Sequence, residues 1–331
     1  MKDLLIFNWK AIDYKSGLKV AIGGIVLFGL SVTTQESWMA TGLSLLFAWL
    51  TNVPGSLKDR ITGMTAFAIG AIVITIISGQ IELSLWSNVA GIALIGFLGS
   101  ILLIKGTRAF MVGYVLICWA IYSPFLISST SVNNCILAIV VSVGILILLS
   151  FVASFFENPT IQDETTDSST VRVDTNYIIA YSVAIALVLG VTTYIGWTSL
   201  KTDPTLVTGG AFFVIGFDAK KTKIIGIARV IGILTGMILG WILSSNLEPG
   251  LLYYSILLLA LFLSFAMEPV HPGFLMFFFM VLISMGWQGL DNSEVNLNFY
   301  ERLLGEGTGV LIAMVAIGFL QWLQSRQDHK S

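Results

Sequence analysis

The longest uncharged run sets the strongest constraint on this chain. From Ala109 to Phe156 there is no Asp, Glu, Lys or Arg. Such a run is too long for one buried helix and fits two membrane crossings of about 20 residues each. Only 11% of all residues are charged and 56% are hydrophobic, against about 25% charged in a soluble domain. The sequence predicts an all-α polytopic membrane protein without a sizeable soluble domain.

Apolar runs between charges and Gly, Pro or Asn clusters predict about twelve transmembrane helices. The first six are Gly17–Val32, Trp38–Thr51, Ile61–Ser78, Trp86–Ile104, Ala109–Ile127 and Asn134–Phe156. The second six are Tyr177–Ile195, Thr205–Phe217, Ile224–Ser244, Leu251–Met267, Pro272–Trp287 and Leu303–Leu323. The second helix of each set is short for a full crossing. We expect it to be tilted, broken or packed against protein rather than lipid.

The positions of Lys and Arg predict the orientation. With a cytoplasmic N-terminus, fifteen of these residues fall inside, and only Lys201 and Arg302 fall outside. This bias predicts that both termini lie in the cytoplasm. The polar, acidic segment 157–176 reads as a flexible cytoplasmic linker. It separates a first six-helix repeat, residues 1–156, from a second, residues 177–331.

Residues of the same type recur in the two halves. A shift of 167 positions aligns Gly23 with Gly190, Gly29 with Gly196, Glu36 with Asp203, Thr41 with Thr208 and Gly42 with Gly209. A shift of 169 aligns Arg60 with Arg229 and Gly63 with Gly232. Two repeats with the same topology are related by a pseudo-two-fold axis along the membrane normal. The glycines at helical spacing favour close helix packing over a binding role; they are Gly232, Gly236, Gly240, Gly305 and Gly309.

Three stretches resemble the fusaric acid resistance (FUSC) and aromatic acid exporter superfamily. In the first half the stretch is GLKVAIGG…ESWMATGLSLLFAWLTNVPGSLKDRITG, and in the second it is TDPTLVTGGAFFVIGFDAKKTKIIGIARVIGILTG. The third is YERLLGEGTGVLIA, Tyr300 to Ala313, which is similar to a signature of the last helix in that family. The resemblance implies an inner-membrane exporter of aromatic carboxylates and related organic acids, working with a periplasmic membrane-fusion protein. The bulky cytoplasmic domain of the larger exporters has no counterpart between the halves.

Three cations are candidate contacts for an anionic substrate. Arg60 and Arg229 fall at the cytoplasmic ends of the third and ninth helices, where a guanidinium fork can bind a carboxylate. The alternative is that they only fix the orientation of their helices. Arg302 departs from the positive-inside trend and lies four residues before Glu306. It is either an outer anion contact with Glu306 as counterion, or one half of an intrahelical ion pair.

Three acids are candidates for proton coupling or for counterions: Glu36, Asp203 and Glu306. Glu36 and Asp203 fall at equivalent outer starts of the short second helices, and Pro204 makes a helix-capping role natural for Asp203. Coupling is the alternative, because a carboxylate that faces a cavity can carry a proton. Glu268 and His271, in MEPVHP, fit either a plain turn or a pH sensor.

No catalytic constellation, phosphate-binding loop or cofactor motif occurs in the sequence. The two cysteines fall in apolar segments, and the two histidines lie far apart, so no metal spacing exists. Three hypotheses remain, none of them enzymatic. They are a proton-coupled exporter of organic anions, a passive anion channel, and a membrane scaffold that needs a partner.

Overall fold

A computed structural model describes most of the chain. The described residues are 8–34, 38–51, 56–80, 84–155, 175–200, 203–215, 219–248, 250–288 and 295–328. Over these residues the chain forms α-helices and no β-strand, as predicted. Glu36 and nearly all of the linker 157–176 lie outside the described residues.

Each predicted helix has a counterpart. In chain order the helices are α1 (Tyr14–Thr34), α2 (Trp38–Leu50), α3 (Leu57–Gln80), α4 (Leu85–Ile101), α5 (Thr107–Ser129), α6 (Val132–Ser154), α7 (Thr175–Ile195), α8 (Pro204–Val214), α9 (Ala219–Asn246), α10 (Leu251–Ala266), α11 (Pro272–Gln288) and α12 (Val295–Asp328). A one-turn π-helix, Gly196–Leu200, continues α7. The largest difference from prediction is at α12, which begins at Val295 rather than at Leu303. The prediction began later because the first two turns of this helix contain polar residues, which interrupt the apolar run.

Seven helical segments in the described part are long and apolar enough to cross a membrane. They are Leu57–Gln80, Leu85–Lys105, Thr107–Ser128, Val132–Ser154, Thr175–Leu200, Ile227–Asn246 and Leu303–Trp322. At 1.5 Å per residue, α2 and α8 span about 20 and 17 Å, less than the bilayer core of about 30 Å. Twelve full crossings therefore stay a prediction.

The outer surfaces of the long helices suit lipid. On α12 the exposed side chains Leu311, Val315, Phe319 and Trp322 recur every three or four residues along one face. In water a stripe of this kind would be an aggregation liability, whereas in hydrocarbon it matches its solvent. The chain is a multi-pass membrane protein.

The helices group into two compact units. Unit 1 comprises Met1–Leu30 and Val191–Ser331, and unit 2 comprises Ser31–Gly190. Each unit therefore takes most of its first helix from the other half of the sequence: α1 up to Leu30 belongs to unit 1, and α7 up to Gly190 belongs to unit 2. In unit 1, a Cβ at Gly17 would lie 2.7 Å from the Phe262 carbonyl oxygen on α10. In unit 2, a Cβ at Gly190 would touch Ala93 on α4 at 3.6 Å.

The same helix pairs recur inside each unit. In unit 2, α2 packs on α6, and α5 packs on both α3 and α4. In unit 1, α8 packs on α12, and α11 packs on both α9 and α10. The short second helix is the most enclosed element in each case. Every residue of α8 from Thr205 to Val214 is buried, and α2 is buried from Leu43 to Trp49.

Candidate functional site

The guanidinium of Arg229, on α9, lies at the C-terminal end of the buried helix α8. Its Nη1 donates a hydrogen bond to the Phe213 carbonyl oxygen at 3.2 Å. The last carbonyls of a helix lack partners within it and carry partial negative charge, so a cation stabilises them. The Nε of Arg229 is buried and has no hydrogen-bond partner among the described residues. The guanidinium therefore keeps a donor for a further acceptor.

Glu268 lies in the turn between α10 and α11 and interacts electrostatically with Arg229. Its surface is exposed, but surrounding protein encloses it, and this desolvation raises the pKa of the carboxyl above its ordinary value. The Arg229 charge opposes the increase, and the Asp13 charge adds to it. The Glu268 carboxyl is thus under the opposing influence of a cation and a second acid.

The segment before α1 holds Asp13 against this turn. The Asp13 N–H donates to the Ala266 carbonyl oxygen at 3.0 Å, and the Asn8 N–H donates to the Val270 carbonyl oxygen at 3.2 Å. The Asp13 carboxylate caps α1, because its Oδ1 accepts from the Ser16 N–H at 3.1 Å. The Asp13 backbone is therefore bound to the end of α10, and its side chain is bound to the first turn of α1.

His271 completes the turn, and α11 starts directly after it. Its Nδ1 accepts a hydrogen bond from the Gly273 N–H at 3.2 Å. Gly273 in turn faces α9, where a Cβ at Gly273 would lie 2.8 Å from the Ala228 carbonyl oxygen. Because Ala228 precedes Arg229, this contact sets the turn at the level of the guanidinium.

Arg60, the predicted equivalent of Arg229, lies on α3 in unit 2. Its residue surface is 7% exposed. The neighbouring Asp59 instead pairs with Arg108 at the start of α5, with 2.9 Å between Oδ2 and Nη1. Arg60 and Arg229 belong to different units, and their pairing across a pseudo-axis stays a prediction.

Asp203 caps the other end of α8. Its Oδ1 accepts from the Thr205 N–H at 2.9 Å, and Pro204 follows as the first helical residue. One turn further, the Thr208 hydroxyl lies 3.0 Å from that of Thr193 on α7. Asp203 and Arg229 thus occupy opposite ends of one short buried helix. The capping interaction is present, and a coupling role for Asp203 stays a prediction.

Glu306 is buried on α12, with 4% of its surface exposed. A Cβ at Gly210 of α8 would lie 2.7 Å from the Glu306 carbonyl oxygen, and one at Gly305 would lie 2.9 Å from the Leu206 Cβ. A Cβ at Gly309 would overlap the Val207 carbonyl oxygen. The side chain of Arg302 lies outside the described residues, so its pairing with Glu306 stays a prediction.

The three glycines of α9 face α11. A Cβ at Gly232 would overlap the Gly273 carbonyl oxygen, one at Gly236 would overlap the Phe277 carbonyl oxygen, and one at Gly240 would lie 2.5 Å from the Ser284 Cβ. Backbones approach this closely only where no side chain intervenes. The contact fixes α9, and with it the position of Arg229.

Sequence reasoning considered Glu268 and His271 only as a turn or pH sensor, and it did not connect Glu268 with Arg229. The sequence MEPVHP places an acid in a turn, but Arg229 lies 39 positions earlier, and sequence spacing gave no sign that the two are close. Trp119 on α5 is a core residue. It is fully buried, and its Nε1 donates to the Thr75 hydroxyl at 2.9 Å.

The fusaric acid resistance protein-like family matches residues 179–316. No curated protein and no solved structure matches the chain. The matched segment runs from α7 to α12 and contains Arg229, Glu268, Asp203 and Glu306. The match indicates a membrane protein with a transport or resistance function. Residues 179–316 are therefore similar to the fusaric acid resistance protein-like family, in agreement with the resemblance found in the sequence.

Proposed function

We propose that the protein exports organic, chiefly aromatic, carboxylate anions across the inner membrane and draws on the proton gradient. The observation that carries this proposal is the position of Arg229 within the matched family segment. A permanently charged guanidinium lies at the end of a buried helix, beside an ionisable acid, and keeps a donor without a partner. A planar fork of this kind suits a carboxylate.

The other candidate roles follow the same chemistry. Arg60 and Arg302 are proposed as further anion contacts, and Glu36, Asp203 and Glu306 as coupling groups or counterions. Among these acids Glu306 has the strongest support, because an ionisable residue with only 4% of its surface exposed among apolar helices is costly and needs a reason to be there.

A duplicated architecture of two parallel six-helix repeats, residues 1–156 and 177–331, is part of the proposal. The recurring helix pairs, second with sixth, third with fifth and fourth with fifth, support it. Repeats of the same topology place the substrate near their interface in other transporters. Both termini and the linker 157–176 are proposed to be cytoplasmic. A periplasmic membrane-fusion protein is the proposed partner.

Reconstituted full-length protein tests the proposal. Efflux of benzoate and of an aliphatic carboxylate from proteoliposomes is measured with and without a pH gradient. Arg229→Ala and Asp203→Asn are compared with Arg108→Ala, which removes an exposed arginine of unit 2. Gradient-driven efflux that is lost in both test variants and kept in the control supports the coupled exporter.

Two other results would contradict the coupled exporter. Efflux that ignores the gradient and survives Asp203→Asn identifies a passive anion channel. An absence of flux for every acid, with folded protein in the bilayer, identifies a scaffold or subunit that depends on a partner.

A further inference from the structure

In unit 1 a carboxylate of the protein itself, that of Glu268, lies where it can compete with a substrate carboxylate for Arg229. Glu268 comes from the turn between α10 and α11, whereas Arg229 comes from α9. The two approach because Gly273, just after the turn, packs on Ala228, next to Arg229. The backbone contact between Gly273 and Ala228 thus brings the end of the turn next to α9. The ionised Glu268 carboxylate offsets part of the positive charge of Arg229 that would attract an anionic substrate.

We propose that Glu268 gates the Arg229 site: its ionised carboxylate neutralises the guanidinium and keeps substrate anions away, and its protonation at acidic cytoplasmic pH releases Arg229 to bind them. The inference rests on the proposed function, because it takes the substrate to be an organic carboxylate. It concerns the first contact with substrate, and the proton stays at this end of the protein. It is distinct from the coupling groups proposed above, which exchange protons across the membrane.

The charged and titratable groups around Glu268 come from three elements. Asp13 is at the start of α1, Arg229 is on α9, and His271 is in the turn itself; Lys10 lies in the segment that leads to α1. The guanidinium remains charged at every accessible pH, so the net charge of the pair changes with the protonation of Glu268. Desolvation raises the pKa of Glu268, Arg229 lowers it and Asp13 raises it. The carboxyl therefore takes up a proton at a higher pH than a free glutamate would.

The sign of the pH effect follows from these charges. Above the pKa of Glu268 its negative charge cancels much of the Arg229 charge, and substrate binding is weak. As the pH falls through that pKa the cancellation is lost, and affinity for anions rises. One partly solvent-screened charge supports an increase in affinity of about threefold to tenfold. An exporter with this gate would accelerate when weak acids acidify the cytoplasm.

Anion binding to the full-length protein in detergent is measured by titration calorimetry from pH 8.5 down to 4.5, the ordinary pKa of a glutamate carboxyl, because the pKa of Glu268 lies above that value. The probes are benzoate and benzenesulfonate, and the sulfonate stays ionised throughout this range. Wild type is expected to bind about threefold to tenfold more tightly at the acidic end. Glu268→Gln is expected to bind at pH 8.5 with the acidic-end affinity of wild type and to show no pH dependence.

Matched variants separate the gate from other titrations. Glu248→Gln removes an exposed carboxylate from the same unit and should behave as wild type. Asp13→Asn keeps the cap of α1 but removes the like charge, so the midpoint of the pH dependence should move to lower pH. This second variant tests the gate even if Glu268→Gln does not fold. His271→Gln should keep the pH dependence.

Three results would overturn the gate. One is an undiminished pH dependence in Glu268→Gln, and another is its loss in His271→Gln alone. The third is binding that survives Arg229→Ala unchanged. Failure of the gate is distinguishable from failure of the proposed export. Efflux from proteoliposomes without pH-dependent binding would reject the gate and support the exporter. Binding that depends on pH without efflux would support the gate and reject export.

Discussion

The ends of the two units at which α3 and α9 begin have opposite charge arrangements. In unit 2 the acid, Asp59, is on α3 and the base, Arg108, is at the start of α5, and they form a direct ion pair of 2.9 Å. In unit 1 the base, Arg229, is on α9, and the acid, Glu268, is in the turn before α11. Both members of the unit 2 pair are exposed to solvent. Unit 2 therefore holds a solvent-screened ion pair where α3 begins, whereas unit 1 holds Arg229 near an acid whose pKa is raised by desolvation.

The helix contacts differ in a parallel way. In unit 2, α3 and α5 meet through aromatic side chains: Trp119 packs edge-on against Phe67 with 6.2 Å between ring centroids. In unit 1, α9 and α11 meet backbone to backbone through glycines. Side-chain packing loses its contacts when a large group is removed, whereas a backbone contact cannot accept an added group. The α3–α5 and α9–α11 pairs should thus respond to opposite kinds of substitution.

Removal of a large side chain from unit 2 is expected to have the largest effect. Trp119→Ala should lower the free energy of unfolding by about 3–5 kcal/mol, because it leaves a cavity and deprives the buried Thr75 hydroxyl of its donor. Denaturant unfolding in detergent measures this, with Trp322→Ala on the exposed face of α12 as the control. Equal losses in both variants would show that Trp119 is not a core residue.

Addition of a single methyl group to unit 1 should come next. Gly236→Ala should cost about 1–3 kcal/mol, because the new Cβ overlaps the Phe277 backbone on α11. Gly318→Ala is the control, since a Cβ there meets nothing within 4 Å, and it should be neutral or slightly stabilising. Thermal unfolding by fluorescence compares the two. A neutral Gly236→Ala would contradict the backbone contact.

The cap of α8 should contribute less. Asp203→Ala is expected to cost about 0.5–2 kcal/mol, whereas Asp203→Asn should keep the hydrogen bond to the Thr205 N–H and cost little. Stability and transport are measured on both variants. A loss of transport in the stable Asn variant would support a coupling role, and normal transport there would leave Asp203 as a cap alone.

The surface pair of unit 2 should matter least. A double-mutant cycle of Asp59→Asn and Arg108→Gln is expected to give a coupling of about 0–1 kcal/mol that falls as salt is added. The unfolding free energies of the four proteins, measured at low and high ionic strength, provide the test. A larger coupling that resists salt would erase the contrast between the two units.

The local sequence pattern was enough to predict the helices, but it did not predict which helices contact each other. The apolar runs located α8 between Asp203 and Phe217, and the Asp-Pro pair predicted its capped start, because both depend on neighbouring residues. The approach of Glu268 to Arg229 depends on packing between α9 and the start of α11, which sequence spacing does not encode. The membership of α1 in unit 1 was not predicted for the same reason, since the sequence of an apolar helix does not specify which helix it packs against.

The assignment of α1 to unit 1 has a consequence for biosynthesis. Its contact residue Gly17 leaves the ribosome long before Phe262 on α10 is made. At about 5–20 residues per second, the interval is on the order of 10–50 s. During that time α1 lacks its final neighbour, whereas unit 2 can fold as soon as Gly190 is added. Unit 2 should therefore be complete while α1 is still the only synthesised helix that belongs wholly or mostly to unit 1.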